Sequence, residues 1–313
     1  MRTDAFRPED IPEIVAFWNR SFFTHRLFVP LTEETFRARI LGRAAFRPEA
    51  LRIAREGERI VGIGHASRKG NDAFLSLLYV APQVRGQGIG SRLLDELTEW
   101  CGVVPRVRAG AVIFDPIYGV DFDDRRVWGG PRMPFWGSSE GLAALGSDIV
   151  TRNFMLKRGF VPDDPDYSML VTGLRGRGEE ALSRREQFTV ARHKYEIRIV
   201  ENGSTRQASY RYEVPHRCVQ LWGEGRAAGE CTWFAFDDKL AIIYDFYLEP
   251  DARGKGLGRA VLLRALADIK DAGPDRCDLT TGSRRNARAV KVYRMAGFRV
   301  DEVWQPYVRG EAP

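Results

Sequence analysis

The sequence has little cysteine and no long apolar run. Its four cysteines are widely spaced in a chain of 313 residues, without a Cys-x-x-Cys pair or a neighbouring histidine cluster. This spacing excludes the disulfide framework of small secreted domains and does not indicate a zinc site. The longest apolar runs fall far short of the roughly 20 residues that a membrane-spanning helix needs. We therefore predict no metal and no membrane segment.

The N-terminal segment also lacks the features of a secretory signal. It reads MRTDAFRPEDIPEIVAFW, in which acidic residues interrupt the apolar stretch. A signal peptide has a basic start, an apolar centre and small residues at its cleavage site. The sequence therefore predicts a soluble, cytoplasmic protein.

The chain has only a modest excess of positive charge. Its formal net charge is +6, and most of its arginines are interleaved with aspartate and glutamate. A positive balance suits an anionic ligand such as a nucleotide cofactor. Nucleic-acid binding would favour basic residues clustered on one face. The scattered charges predict an ordinary solvated surface and no nucleic-acid partner.

One unusual motif is present twice. Arg-Gly-x-Gly-x-Gly begins at Arg85 and again 168 residues later, at Arg253. Each copy follows an apolar run that is typical of a strand and precedes apolar residues at helical spacing. Further along, each copy ends in a Gly-Phe pair, at residues 159–160 and 297–298. Internal duplication over most of the chain predicts two domains of the same fold.

The duplication predicts an α/β protein in which each domain has a mixed α+β sheet. We place an N-terminal domain at residues 1–172, a polar, glycine-containing linker at 173–186 and a C-terminal domain at 187–313. The first copy is about thirty residues longer, and we place the extra residues near 114–142. This insert is rich in aromatics, which predicts a lid or a domain-interface segment. The second copy lacks the leading helices of the first.

The glycine loops have the features of an anion site. Glycines directly before a helix let a ligand approach the backbone, and the free N–H groups of the first helical turn bind negative charge. The glycine spacing does not match the dinucleotide fingerprint Gly-x-Gly-x-x-Gly, and no Lys-Ser/Thr pair follows as in a P-loop. A diphosphate group fits such a loop.

With the strand before it and the helix after it, the loop resembles that of the GCN5-related N-acetyltransferase (GNAT) superfamily, which reads Gln/Arg-x-x-Gly-x-Gly/Ala. The resemblance covers nearly the whole chain, and the tandem arrangement is similar to that of mycothiol synthase. The matching residues are Arg85, Gly88 and Gly90 in the first copy and Arg253, Gly256 and Gly258 in the second.

The resemblance implies transfer of an acetyl group from acetyl-CoA to a primary amine, without a metal or a covalent enzyme intermediate. It implies cofactor contacts from the strand end, the loop and the helix start of each copy. In the second copy these residues are Phe246, Leu248, Arg253, Gly254, Gly256, Gly258, Arg259 and Asn286, and in the first they are Leu78, Val80, Arg85, Gly86, Gly88, Gly90 and Ser91.

The resemblance also implies a tyrosine on the later helix as the acid that protonates the departing thiolate. Aligning the Gly-Phe pairs places Tyr293 opposite Met155, and Asn286 opposite Asp148. Only the second copy therefore has the acid, and we expect the second domain to carry the chemistry. Outside this family, a tyrosine on an amphipathic helix would be interpreted as a core residue.

A base for the amine is harder to assign from sequence. Asp245, on the strand before the second loop, takes the position of Leu77 in the first copy and is a candidate base acting through water. The same position suits a structural ion pair, and Glu230 and Glu249 compete for the role. On this hypothesis the first domain binds coenzyme A weakly or serves as a scaffold.

Several alternatives stay open at this point. The first copy keeps the leading helices from which the family builds its acceptor site, and its insert adds Tyr118, Trp128 and Trp136, so the first domain is a competing place for the acceptor. Competing functions are a non-catalytic coenzyme A-binding or regulatory module and an aminoacyl or peptidyl transferase of related double-domain fold. For the main hypothesis we expect a small-molecule amine acceptor and a monomer whose two domains pack as a pseudo-dimer.

Overall fold

A computed structural model of the chain describes residues 2–23, 28, 30–110, 115–118, 126–127, 144–177, 184–203, 211–212 and 215–310. The described residues fall into two compact units. Unit 1 comprises those of Met1–Asp123, Pro131–Pro165 and Trp304–Pro313, and unit 2 those of Asp124–Gly130 and Asp166–Val303.

Helices and strands alternate along the chain. The helices are α1 (Ile11–Phe22), α2 (Glu33–Phe36, which continues as a π-helical turn over Arg37–Leu41), α3 (Ile89–Cys101), α4 (Ile149–Lys157), α5 (Arg184–Arg192), α6 (Leu257–Ala272) and α7 (Ala287–Met295). The strands are β1 (Arg2–Ala5), β2 (Leu51–Glu56), β3 (Arg59–Lys69), β4 (Asp72–Val80), β5 (Arg106–Ala109), β6 (Arg126–Val127), β7 (Ala144–Leu145), β8 (Val161–Pro162), β9 (Asp166–Val171), β10 (Glu196–Glu201), β11 (Arg211–Tyr212), β12 (Arg217–Gly223), β13 (Arg226–Ala235), β14 (Leu240–Leu248), β15 (Arg276–Gly282), β16 (Arg299–Gln305) and β17 (Tyr307–Gly310).

The sheet of unit 1 is mixed, as the sequence predicts. Among the described residues its strand order is β1-β2-β3-β4-β5-β17-β8. Strands β4 and β5 run parallel, and their pairing ends at Leu75 and Ala109, although β4 continues to Val80. Strand β4 pairs with β3 in the antiparallel direction, and so does β17 with β5. The end of β4 therefore separates from β5 and leaves a gap in the sheet.

Unit 1 has helices on both faces of its sheet. On one face, α3 buries Leu93, Leu94 and Leu97 against the strands. These residues recur at helical spacing, so one stripe of the helix is apolar. On the other face, α1 buries a second stripe, in which Phe17 and Trp18 belong to a large aromatic cluster.

The sheet of unit 2 repeats this order. Its described strands lie in the order β10-β12-β13-β14-β15-β9-β16. Strands β14 and β15 run parallel, and they pair only where Leu240–Ile242 of β14 lies beside Arg276–Asp278 of β15. Helices α6 and α7 pack on one face around a single buried cluster. Helix α5 precedes β10, and none of the described residues between β10 and β12 is helical. Among its described residues, unit 2 therefore shows no counterpart of the α1–α2 layer that follows the first strand in unit 1.

The sixth strand of each sheet comes from an unexpected part of the chain. Strand β9 pairs with β15 in the second sheet, from Asp166 to Val171. The last strand, β17, pairs with β5 and β8 in the first sheet. The boundary predicted at residue 172 assigns β9 to the first domain and β17 to the second. The strand pairing instead places β9 in the second sheet and β17 in the first.

All four cysteines are buried and unpaired, and they pack as small apolar residues. Within the described ranges, no helix combines the length and the apolar character that crossing a bilayer requires. Of the predicted insert, only 115–118 and 126–127 are described, so Trp128 and Trp136 lie outside the described residues.

Candidate active site

The two glycine loops follow nearly the same backbone path. The φ angles are 81° and 82° at Gly86 and Gly88, and 76° and 79° at Gly254 and Gly256. These values lie in the left-handed region that glycine enters without a steric cost. A Cβ built on Gly86, Gly88 or Gly254 has no heavy atom within 4 Å. The glycines are therefore required by the turn itself, and the space beside them is open to a ligand.

The first arginine of each motif supports its loop. Arg85 Nε donates a hydrogen bond to the carbonyl of Val80 at 2.9 Å, and Arg253 Nε donates to the carbonyl of Leu248 at 2.7 Å. In each unit the bond ties the loop back to the last residue of the preceding strand. Both arginines thus have a structural contact in addition to the cofactor contact predicted from sequence.

The last glycine of each motif lies where the helix start meets the strand. A Cβ on Gly258 would lie 3.2 Å from Leu248 Cδ1 and 3.5 Å from Phe246 Cζ. In unit 1, a Cβ on Gly90 would lie 3.7 Å from Val80 Cγ2, and Leu78 packs in the same region. The structure therefore brings the predicted strand residues and loop residues together in both units.

The residue after the last glycine differs between the two units. Ser91 lies in the first turn of α3, whereas Arg259 forms an ion pair with Glu186 of α5, a carboxylate that is buried. Helix α5 also places Thr189 Cγ2 3.6 Å from a Cβ on Gly256. Helix α5 thus lies beside the second loop. The sequence reasoning placed its start in the linker and missed this contact.

Tyr293 is buried on the face of α7 that packs against Phe246, beside the second loop. Its ring centroid lies 5.8 Å from that of Phe246 and 6.0 Å from that of Phe298. Phe246 in turn contacts the helix start at Gly258, so these rings connect the tyrosine with the loop. Asn286, seven residues before Tyr293, shares its helix face, and its Nδ2 donates to Thr281 Oγ1 at 3.3 Å.

The residues of unit 1 that correspond to Tyr293 and Asn286 have structural contacts instead. Met155 is buried in the apolar cluster beneath α3. The Asp148 carboxylate caps α4, since its two oxygens accept hydrogen bonds from the backbone N–H and the hydroxyl of Thr151, at 3.0 and 2.7 Å. Neither residue has the phenolic hydroxyl that Tyr293 has in unit 2.

Each unit has a β-bulge where its two parallel strands separate. In unit 2, Thr232 pairs with Asp245 but Trp233 pairs with Ile243, so that Tyr244 is the extra residue of the bulge. In unit 1 the same register shift makes Ser76 the extra residue. A bulge redirects side chains and interrupts the ladder of backbone hydrogen bonds. The gap beyond it, bordered by the glycine loop, is the cleft of each candidate site.

The sheet face opposite α6 and α7 is polar in unit 2. Strand alternation places the core residues of β12 and β13 against α6, and therefore directs the intervening residues to the other face. There Gln220 pairs in register with Glu230, and Glu230 with Tyr247. Asp245 pairs with Thr232 on the same face. Glu230 and Thr232 have 0% exposure, so this is a buried polar surface.

The same positions are mostly apolar in unit 1, where His65 takes the place of Thr232. Ile53 pairs with Ile63, and Ile63 with Tyr79, in the row that corresponds to Gln220, Glu230 and Tyr247. Leu77 takes the place of Asp245, as the sequence predicts. Of this polar set, sequence reasoning found Asp245 and Glu230. It missed Gln220 and Thr232, because single polar residues in a strand carry no signal until the register is known.

Chain segment 115–118 closes this face of unit 1. Ile117 and Tyr118 are buried in the aromatic cluster under α1. The Tyr118 hydroxyl lies 2.7 Å from His65 Nδ1, and Asp115 accepts hydrogen bonds from the backbone N–H groups of Ile117 and Tyr118, at 2.8 and 3.1 Å. Tyr118, a sequence candidate for an acceptor site, is therefore part of the packed interior.

Burial lowers the pKa of His65 from 6.5 to about 3. Below about pH 6.5 the His65 ring binds a proton in the unfolded chain but not in the folded protein. The neutral, buried ring therefore contributes fully to stability above about pH 6.5, and this contribution is lost as the pH falls toward 3. We expect the ring resonances of His65 in an NMR titration to stay constant between about pH 8 and pH 4.5. Titration of this ring near neutral pH would contradict the buried position.

Comparison with known proteins agrees with this geometry. The sequence model of the "Acetyltransferase (GNAT) family" matches residues 12–107 and 182–298, more than half of the chain. The chain belongs to the GNAT acetyltransferase family. Each match contains one glycine loop, so this acetyltransferase has two GNAT domains in tandem, as its sequence predicts.

Relatives match over nearly the full length. The chain is 25% identical to "Mycothiol acetyltransferase" of Thermobifida fusca, with 97% of this chain and 95% of the relative covered. It is 24% identical to the protein of the same name from Mycolicibacterium smegmatis, with 91% and 90% covered. A solved structure, "Tandem GNAT protein from the clavulanic acid biosynthesis pathway", aligns with a TM-score of 0.65 at 13% identity, covering 100% of this chain and 99% of that chain. This last likeness concerns the tandem fold alone.

Proposed function

We propose that the protein transfers an acetyl group from acetyl-CoA to the amine of a small polar molecule, and that unit 2 performs the reaction. The observation that carries the proposal is the contrast between the two sheet faces beside the bulges. Unit 2 has a polar face with two carboxylates, Glu230 and Asp245, together with a tyrosine on α7. Unit 1 has a filled face at the same positions, and this face is apolar except for His65.

The residues of unit 2 fit the cofactor that the family uses. Gly254 leaves open space before a helix of sixteen residues, and the first N–H groups of that helix have no partner within the helix. The diphosphate of acetyl-CoA would bind there, and its pantetheine arm would follow the gap between β14 and β15 past Phe246. When bound, acetyl-CoA supplies the activated acyl group. Unit 1 has the same loop, and we propose that it binds coenzyme A without performing transfer, or serves as a scaffold.

The side chains of unit 2 then have separate tasks. The Tyr293 hydroxyl holds a proton on the side of α7 that faces Phe246, where the departing thiolate needs one. The half-buried carboxylate of Asp245 takes a proton from the acceptor ammonium through water. The buried carboxylate of Glu230, one strand away, accepts a hydrogen bond from the amine and orients it. The backbone at the bulge supplies the donor for the oxyanion.

The acceptor should be polar. The face with Gln220, Glu230 and Thr232 offers hydrogen-bonding groups that a polar amine can use and an apolar amine cannot. The full-length relatives are named mycothiol acetyltransferases, and we propose an acceptor amine related to theirs.

The proposal is tested by incubating the protein with acetyl-CoA and two panels of amines, and following acetylated products by mass spectrometry. One panel holds polar amines such as glucosamine and cysteine conjugates of amino sugars; the other holds apolar arylalkylamines. We expect turnover with the polar panel. Binding of acetyl-CoA without turnover of any amine would favour the non-catalytic module instead. Turnover only with an aminoacylated tRNA would favour the aminoacyl transferase.

A further inference from the structure

A pocket of about 500 Å³ lies on unit 2 beside α7. Its lining includes Tyr167 of β9, Ser283, and Val290, Lys291, Arg294 and Met295 of α7. The volume falls within the range of about 300–1,000 Å³ that is typical of small-molecule sites. None of the lining residues belongs to the acetyl-transfer site described above.

Helix geometry separates the pocket from the cofactor cleft. Asn286 and Tyr293 are seven residues apart and therefore lie on one face of α7. Lys291 and Arg294, which line the pocket, lie more than 90° around the helix from Tyr293, at 100° per residue. Tyr167 lies on the strand that pairs with β15 on the side opposite β14. Among the lining residues of α7, Val290 lies near the Tyr293 face and the others do not, so most of the pocket lining is on another side of the helix.

The pocket has positive charge that no acid of its lining neutralises. Lys291 and Arg294 are both exposed, and among the described residues neither side chain forms an ion pair. Asp166, next to Tyr167 in sequence, is buried and paired with Arg285. The segment from Ser283 to Met295 contains no acidic residue at all.

The pocket also has an apolar wall. Val290 is 7% exposed, and the Tyr167 ring packs at the edge of the same core. Met295 is 55% exposed and presents its flexible thioether at the surface. Two cations beside a tyrosine ring and a methionine suit an anion that is attached to a flat or apolar body.

We propose that this pocket is a second binding site, for a small phosphate monoester whose phosphate lies between Lys291 and Arg294 and whose ring lies against Tyr167 and Met295. The phosphate could belong to a separate metabolite or to the nucleotide end of coenzyme A. Since most of the pocket lining is on another side of α7 from Tyr293, the site takes a separate molecule. The inference does not depend on which amine the protein acetylates.

The test uses phenyl phosphate as the probe in calorimetric titrations of the full chain, with and without saturating coenzyme A. We expect binding that the double variant Lys291→Gln, Arg294→Gln weakens at least about tenfold. Both side chains are exposed and unpaired, so the variant should fold normally. The matched control is Arg288→Gln, an exposed arginine of the same helix outside the pocket, which should change the affinity less than about twofold.

Coenzyme A distinguishes the two sources of the phosphate. Unchanged phenyl phosphate binding in its presence supports a separate site. Loss of binding when coenzyme A is added would overturn the proposal, because the pocket would then belong to the cofactor. No binding to the unmodified protein, or equal binding to the double variant, would also overturn it. All of these readouts are independent of acetyl transfer.

Discussion

Replacing Tyr293 by phenylalanine lowers kcat for acetyl transfer by about 100-fold or more, the range expected for the loss of a general acid. The ring contacts with Phe246 and Phe298 remain in Tyr293→Phe, so the fold and the affinity for acetyl-CoA should change little. Steady-state kinetics measures the first effect, and calorimetry with acetyl-CoA measures the second. The thiolate then leaves without a proton donor, so the loss lies in kcat rather than in KM for acetyl-CoA.

A buried tyrosine of unit 1 is a suitable control. Tyr307, on β17, is 3% exposed and packs in the cluster beneath α3. Tyr307→Phe should leave kcat within about twofold. If Tyr293→Phe has full activity, or if both variants lose activity equally, the assignment of Tyr293 as the acid is wrong.

Removal of either carboxylate on the polar face of unit 2 has the second large effect. Asp245→Asn and Glu230→Gln should each lower kcat/KM for the amine by about 100-fold, because the amine must be both oriented and deprotonated. Asp245→Asn should act mainly on kcat, whereas Glu230→Gln should mainly raise KM for the amine. These measurements need only the amine that the product assay identifies.

The control for the carboxylates is Asp238→Asn, an exposed acid in the turn between β13 and β14. It removes the same charge outside the site and should leave the kinetics unchanged. A loss mainly in kcat for Glu230→Gln, with a raised KM for Asp245→Asn, would exchange the two roles. Normal kinetics in both variants would remove the polar face from the mechanism.

The loops and the tandem fold were predictable from the sequence because their determinants are local. Each loop has two glycines in left-handed positions of a tight turn, at Gly86 and Gly88 and at Gly254 and Gly256. Such a position favours glycine because of its own backbone angle, whatever the rest of the chain does. The strand before and the helix after each loop have their own periodicities. The same local pattern, repeated, was enough to indicate the family.

The remaining features depend on distant residues. The places of β9 and β17 in the sheets are set by pairing between segments more than a hundred residues apart, which leaves no periodic trace in one sequence. The polar face became visible only when the register aligned Gln220 with Glu230. Likewise, the ion pair of Arg259 with Glu186 could not be foreseen, because α5 begins in a segment whose composition is that of a linker.

The central claim is that unit 2 performs the transfer, and the most direct measurement compares Gly256→Glu with Gly88→Glu. Both variants place a negative side chain at a left-handed position of equal φ, so the backbone strain is matched, and circular dichroism checks that both are folded. Calorimetry with acetyl-CoA and the acetyl-transfer assay are run on each. We predict that Gly256→Glu abolishes turnover and binding in unit 2, while Gly88→Glu retains turnover. Loss of turnover in Gly88→Glu alone would place the reaction in unit 1 and contradict the account.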